Sequence, residues 1–369
     1  MPHSEKTHSW GVLGAARIAR RKVMPALMAA PNNRLVAVAS RDLANAEAGI
    51  AHALGEAAKR GIVPAKQPRA FGSYDALLDD PAVQAVYIPL PNHLHLPWAI
   101  KALAAGKHVL IEKPAVLNGE EARSLAAEAE KHPNLLVAEG FMYRYHPQWA
   151  IVEDWVRQGR LGALRSASIQ FSFFSGDPNN IRNRPETGGG ALLDIGCYAG
   201  AAARRFGGEP NRIRAVQEHV DGIDRHTRAD LVFDANPEHP FHVNFQTDIR
   251  GAHFQRIDLN GEAGRLVLEK PFNPWPNDPV GPVLYDQQGD LVERAEPIAA
   301  DHFLLQAEAF SAAAIEGTPL PYGLHDLVAQ ADLLDAVRAS AKAGQWAVRP
   351  PARARQRAGF KQAYTSEEQ

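Results

Sequence analysis

Cysteine is almost absent from the 369 residues: Cys197 stands alone. A single thiol makes no intramolecular disulfide, so packing alone must hold the fold, and the pattern suits a reducing compartment. It also excludes a cysteine-built zinc site, which needs several thiolates. A surplus of one charge is missing too. The chain has 40 Lys and Arg against 42 Asp and Glu, a formal net charge of −2. No global basic field is available for nucleic acid or an anionic membrane. No apolar run reaches the length of about 18 residues that a membrane-spanning helix needs. The opening MPHSEKTHSW lacks an apolar h-region, so no secretory signal is visible and a cytoplasmic protein is expected. What is present is ordinary. With 45% hydrophobic and 22% charged residues, the composition is that of a globular chain. The length suggests about two domains, at roughly 100–200 residues each.

Through the first 140 residues, short β-branched runs alternate with alanine-rich stretches. Strands are expected at Trp10–Gly14, Arg34–Ser40, Ala85–Leu90, His108–Ile111 and Leu135–Ala138. Helices are expected at Arg17–Ala29, Leu43–Ala57, Leu94–Ala105 and Asn118–Lys131, with a weaker element over Ala70–Leu78. The apolar runs are too short for helices, and their spacing suits βαβ crossovers. That alternation predicts a parallel sheet covered on both faces.

The first β–turn–helix carries Gly14, Ala16 and Ala19 where a dinucleotide fold has G-x-G-x-x-G. The chemistry asks for a tight turn, then backbone N–H groups at a helix start facing a pyrophosphate. Only the first glycine survives, so alone the motif also fits an ordinary tight βα turn. The end of the second strand reads Val38-Ala39-Ser40-Arg41-Asp42. NAD enzymes place an acid there for the ribose hydroxyls. A hydroxyl at Ser40 and a guanidinium at Arg41 suit the 2′-phosphate of NADP instead, with NAD as the lesser alternative. The structural alternative has Ser40 capping the next helix, Arg41 solvated, and Asp42 within reach of a ribose.

Longer blocks follow: Pro91–Pro114, ending in Glu112-Lys113-Pro114; Glu139–Pro147; Gly188-Gly-Gly-Ala-Leu-Leu-Asp-Ile-Gly-Cys-Tyr198; Asn260–Phe272; and a closing helical pair near Gln306–Trp346. In this order and spacing the chain resembles the glucose–fructose oxidoreductase / inositol dehydrogenase / MocA family. Tyr198 draws it toward the dihydrodiol dehydrogenase / NADP-dependent xylose dehydrogenase branch. The resemblance implies an α/β plus α+β protein. Residues 1–140 would form a Rossmann NAD(P)-binding domain, and 141–369 a substrate-binding α+β domain with an open, mainly antiparallel sheet. It further implies a homodimer or homotetramer formed through that sheet. After residue 160 the pattern itself changes to successive strands, expected at Leu164–Phe174, Ile213–Val220, Ala229–Asp234, Phe241–Asp248 and Phe254–Asn260. Such a succession reads as α+β.

The resemblance makes Lys113, Tyr198 and Asp194 the catalytic set. Lys113 ends a parallel strand, where open α/β sheets place their ligands, and could stabilise a developing alkoxide. Asp194 and Tyr198, four apart, share one face if Ala191–Phe206 is a helix. A free tyrosine titrates at about pH 10. A nearby ammonium lowers that value, which makes a Lys–Tyr pair sensible for proton transfer near neutrality. The alternative has Asp194 capping or pairing and Tyr198 packed in the core. Cofactor contacts are expected from Gly14, Ala16, Arg17, Ile18, Ser40, Arg41, Pro89, Asn92, His95, Glu112 and Lys113. Substrate contacts are expected from Arg144, Tyr145, Arg182, Asp194 and Tyr198, with His146 beside them. The bond before Pro114 is expected to be cis, as is frequent in the family. His93 and His95 form an H-x-H, but too few further ligands lie near for a metal, and none is expected.

The expected activity is hydride transfer between NADP and a sugar or polyol, acting as an aldose 1-dehydrogenase or a ketosugar reductase. The alternatives are a trans-dihydrodiol dehydrogenase and a non-catalytic dinucleotide-binding regulator. The regulator would be expected to lose Lys113, Asp194 and Tyr198, and all three are present. Three segments receive structural readings. Cys197 is a buried inert thiol, Pro271–Pro282 an ordered loop, and the basic Arg349–Lys361 a solvated or docking tail.

Overall fold

A parallel strand buries both faces, so it must be apolar nearly throughout. The runs of the first 140 residues meet that demand. In the computed structural model, which describes residues 7–235 and 238–348, they form one six-stranded sheet. Its strands are β1 (His8–Leu13), β2 (Asn33–Ala39), β3 (Arg69–Phe71), β4 (Ala85–Ile88), β5 (His108–Glu112) and β6 (Val137–Gly140), all parallel, in the order 3-2-1-4-5-6. The basic tail Arg349–Lys361 lies outside the described residues.

Helices link the strands much as expected, with local departures. The weak element at Ala70–Leu78 resolves into β3 and a short helix, Tyr74–Leu78, whose cap Ser73 accepts the Ala76 N–H. The helix expected over Arg17–Ala29 contains a π turn, Ala19–Val23, ahead of Met24–Ala29. Pro25 has no N–H, and its ring would press on the carbonyl four residues back. The wider turn gives it room.

The described residues divide into two units. The first draws on Met1–Tyr145, Pro178–Gly189 and Asp301–Asp332; the second on His146–Asp177, Gly190–Ala300 and Leu333–Gln369. The division differs from a single boundary after residue 140, because two later segments return to the first unit. Part of what holds the second return is visible at Trp10. This residue is fully buried, lies 5.1 Å from the Phe310 ring, and donates from Nε1 to Asn33 Oδ1 and Ser311 Oγ.

The second unit holds a nine-stranded sheet. Its strands are β7 (Leu164–Phe174), β8 (Arg212–Val220), β9 (Ile223–Phe233), β10 (Phe241–Asp248), β11 (Arg250–Gly261), β12 (Gly264–Leu268), β13 (Val283–Asp286), β14 (Leu291–Arg294) and β15 (Ala347–Val348), in the order 14-13-12-11-7-10-9-8-15. All pairs are antiparallel except β7 with β10. The α/β plus α+β architecture is therefore the observed one. Strand β10 alternates strictly, burying Phe241, Val243, Phe245 and Thr247. That period places one face on a core and leaves the other open. The proline-rich Pro271–Pro282 is an ordered link between β12 and β13. Gln255 Oε1 accepts the N–H groups of Phe272 and Asn273, and Trp149 Nε1 donates to the Pro271 carbonyl. Among the described residues no helix is long and apolar enough to cross a membrane.

Two histidines, one half-buried and one buried, serve as neutral acceptors. His108 Nδ1 accepts the Leu136 N–H, and His146 Nδ1 accepts the Gln148 N–H at the start of its helix. Burial, with His108 adding to it, pushes the pKa of His8 down to about 4; burial alone does the same to His146. Their folded values lie below the unfolded 6.5, so the stability they contribute is present above that pH and lost as pH falls toward 4. The loss should reach on the order of 3 kcal/mol per histidine at completion. Urea midpoints measured from about pH 8 to pH 4 should stay level down to roughly 6.5 and then decline. A level midpoint down to about pH 4.5 would contradict the assignment.

Candidate active site

The strand order reverses beside β1, and a parallel sheet opens its crevice at such a reversal, outside the carboxyl ends of the strands. Gly14 follows β1 there with φ +114°, and a β-carbon on it would stand 2.9 Å from Leu90 Cδ2. Its N–H donates to the Ala39 carbonyl. The helix begins at Arg17, leaving the first N–H groups without helical partners. Ala16 and Ile18 are half-buried and Arg17 is exposed. Close packing comes from another glycine: a β-carbon on Gly49 would meet Ala15 Cβ at 2.7 Å. The turn thus has the form a pyrophosphate needs, with alanine replacing the second glycine.

After β2, Ser40 is buried and Arg41 exposed. Ser40 does not cap the next helix. Asp42 does, accepting the Asn45 N–H at 2.8 Å. Asp42 is therefore engaged as the cap, while the Ser40 hydroxyl and the exposed Arg41 guanidinium stand beside it.

The ends of β4 and β5 carry the densest set of ties. Glu112 Oε1 accepts the Tyr87 hydroxyl at 2.5 Å, and Oε2 accepts the Lys113 N–H at 3.1 Å. Burial pushes the Glu112 pKa up, opposed by Lys113, Tyr87 and Arg182. Lys113 is half-buried, and the Lys113–Pro114 bond is cis, as expected. The Ala115 N–H donates to Glu139 Oε1. Arg182 rides on the returning segment Pro178–Gly189 and lies close enough to act on Glu112. Asn92 Nδ2 donates to the Gly188 carbonyl, holding the same segment. Pro89 is buried at the start of this loop.

Two expectations are corrected here. His95, expected against the cofactor, is fully buried. Its Nδ1 lies 2.8 Å from the Pro114 carbonyl and its Nε2 2.7 Å from the Leu90 carbonyl. Burial, reinforced by Lys113 and His93, lowers its pKa to about 4 against the pull of the two carbonyls. The neutral ring has one N–H to give. It works as a bracket between the chain leaving β4 and the chain leaving β5. Arg144, expected at the substrate, is buried in an ion pair with Asp326 at 2.6 Å. Its guanidinium also faces the rings of Tyr322 and Phe141 at 4.2 and 4.8 Å. Its neighbour Tyr145 is half-buried. His93 is exposed while His95 is buried, and no group of three or more potential metal ligands occurs among the described residues.

Asp194 and Tyr198 belong to the second unit, and both are buried. A π turn, Leu192–Gly196, leads into the helix Cys197–Gly207. The Tyr198 ring packs against Phe171 and Phe272 at 5.7 and 5.5 Å. Cys197 is a buried free thiol whose Sγ lies 3.5 Å from the Asp194 carbonyl.

Tyr87 and Glu139 escaped the sequence reading. A tyrosine inside a wholly buried strand needs a partner for its hydroxyl, and that was the available signal for Tyr87. Glu139, buried at the end of β6, offered the same kind of signal.

With this geometry in view, comparisons with known proteins agree along the chain. Residues 8–141 match the family described as "Oxidoreductase family, NAD-binding Rossmann fold", and residues 149–267 match the "GFO/IDH/MocA C-terminal domain". A D-xylose 1-dehydrogenase (NADP(+)) of Haloferax volcanii is 34% identical over 337 residues, covering 91% of this chain and 98% of its own. A mouse trans-1,2-dihydrobenzene-1,2-diol dehydrogenase is 30% identical over 272 residues, covering 72% and 75%. The crystal structure of a 3-ketoreductase from Actinomadura kijaniata with NADP and TDP-benzene aligns with a TM-score of 0.78 at 32% identity, covering 91% and 98%.

The reassignment of Arg144 has a measurable consequence. Arg144→Met strands Asp326 and should destabilise the first unit by about 3 kcal/mol. The substrate KM of the folded fraction should stay at the wild-type value. A large rise in KM at unchanged stability would return Arg144 to the substrate.

Proposed function

The chain belongs to the GFO/IDH/MocA oxidoreductase family, and from that premise we propose an NADP-preferring enzyme that moves hydride between nicotinamide and a carbinol or carbonyl carbon of a sugar or polyol. The observation that carries the reading is the edge where Gly14, Ser40, Arg41, Glu112 and Lys113 end or follow parallel strands. The relatives support the substrate class, and their names and bound ligands support NADP.

A dinucleotide bound at this edge supplies the hydride chemistry. Gly14 and the N–H groups of the following helix would hold its pyrophosphate, and Ser40 and Arg41 its 2′-phosphate. Lys113 would hold the reacting oxygen and stabilise its developing negative charge. Glu112, fixed by Tyr87, would keep that lysine charged and aimed. Tyr198 would give or take the proton, with Asp194 orienting the substrate; the family resemblance carries those two assignments. The intact set of Lys113, Asp194 and Tyr198 favours an enzyme over a binding-only regulator. A trans-dihydrodiol is the second substrate class, supported by the mouse relative. We extend the proposal to a cytoplasmic homodimer or homotetramer built through the nine-stranded sheet, whose strands carry exposed Phe174, Val216 and Phe254.

A screen of aldoses, ketosugars, polyols and dihydrodiols with NADP and NAD, followed at the nicotinamide absorbance, tests substrate class and cofactor together. Turnover of none of these classes would overturn the proposal. Lys113→Met should lower kcat by about 10²–10⁴ on every substrate found. Arg41→Ala should weaken NADP binding by about tenfold to a hundredfold and leave NAD binding unaltered. Unaltered NADP affinity would remove the 2′-phosphate assignment.

A further inference from the structure

The helix that carries Asp194 and Tyr198 begins without a cap of its own. Three glycines precede it, Ala191 stands at the N-cap, and no local side chain bonds its first turn. The first N–H groups of a helix have no partner inside it, so a buried start needs one from elsewhere. Asp224, at the head of β9, provides it. Its Oδ2 accepts the Leu192 N–H at 2.7 Å and the Thr227 hydroxyl at 2.8 Å. Asp224 is 8% exposed and Thr227 0%.

Gly190 is shaped to this carboxylate. It has φ +115°, and a β-carbon on it would stand 1.9 Å from Asp224 Oδ1. From there the chain runs into the site without a break. The Asp194 N–H donates to the Gly190 carbonyl at 3.0 Å, the π turn Leu192–Gly196 follows, and Tyr198 is the second residue of the helix Cys197–Gly207. A negative carboxylate at a helix start is also favoured by the helix dipole. Burial pushes the Asp224 pKa up, opposed by the Leu192 and Thr227 bonds and by His219.

We propose that Asp224 is the positioning residue for Asp194 and Tyr198, setting the helix start through the Leu192 N–H and the close approach that Gly190 permits. This rests on the reading of Tyr198 as the proton-transfer residue. A cap that served stability alone would move the melting temperature. One that sets placement moves kcat in the folded enzyme.

The test uses the full-length chain, a substrate found in the screen, steady-state kinetics, NADP binding by nicotinamide fluorescence, and melting temperature. Asp224→Asn keeps an oxygen acceptor for both donors and should hold kcat within about threefold. Asp224→Ala removes the acceptor, and Asp224→Glu keeps charge and acceptor but lengthens the arm by a methylene. Both should lower kcat by at least about tenfold, roughly 1.4 kcal/mol in the barrier, with the NADP Kd within about twofold. If Asp224→Ala does not fold, Asp224→Glu and Asp224→Asn decide. Wild-type kcat in Asp224→Glu, or equal losses in all three variants, would overturn the proposal. Tyr198→Phe separates the two readings. If it is inactive while Asp224→Glu is normal, only the positioning role falls; if Tyr198→Phe keeps full kcat, both fall.

Discussion

Every strand of a parallel sheet ends on the same edge, and the first unit depends on that constraint. Gly14, Ser40, Pro89 and Lys113 are far apart in sequence, yet each ends or follows one of four neighbouring strands, β1, β2, β4 and β5. The reversal of order beside β1 sends the adjoining loops in opposite directions and opens the crevice between them. The chain must then turn sharply at that edge without losing rigidity. Gly14 solves the first demand with a backbone conformation that other residues rarely adopt. Side-chain bonds solve the second: Tyr87 to Glu112, Ala115 to Glu139, and His95 to the carbonyls beyond β4 and β5. Hydride transfer needs reacting groups held to within a fraction of an ångström, and these ties are of the kind that can hold them.

The same edge also settles its charges locally. A buried carboxylate is costly unless it is paired and hydrogen-bonded. Glu112 meets that cost with a phenol, a backbone N–H and two nearby cations, Lys113 and Arg182. One anion close to two cations offsets part of their mutual repulsion. Cations so held suit a site that must steady negative charge on oxygen. Arg144 shows the opposite outcome. Its charge is paired with Asp326 and faces two aromatic rings, contacts that hold the fold.

Much of this was legible in the sequence, because period and turn chemistry act over short range. The βα alternation, the Gly14 turn and the Ser40-Arg41-Asp42 corner are all local features, and the structure shows them near their expected places. The π turn was hidden because Pro25 lies within an otherwise helical pattern. The roles of His95, Arg144 and Asp224 were hidden for a different reason. Each is set by a partner that no local pattern announces. Arg144 meets Asp326 across 182 residues of sequence, and Asp224 meets Leu192 across 32. Residue type told that such groups needed partners; only the fold could tell which ones.

The glycine run shows how one short motif can answer to three separate neighbours. A β-carbon on Gly188 would meet Leu117 Cδ2 at 2.3 Å, and one on Gly189 would meet the Arg182 carbonyl at 2.5 Å. Both clashes lie within the first unit. The clash at Gly190 is with Asp224, within the second. A glycine run ahead of a site helix can also serve as clearance for a ligand, and that role has a rival in these contacts. Backbone packing demands glycine at 189, and positive φ favours it at 188 and 190, before any ligand is considered. The run's sequence signal is strong because three independent demands fall on adjacent residues, at the point where the chain leaves one unit for the other.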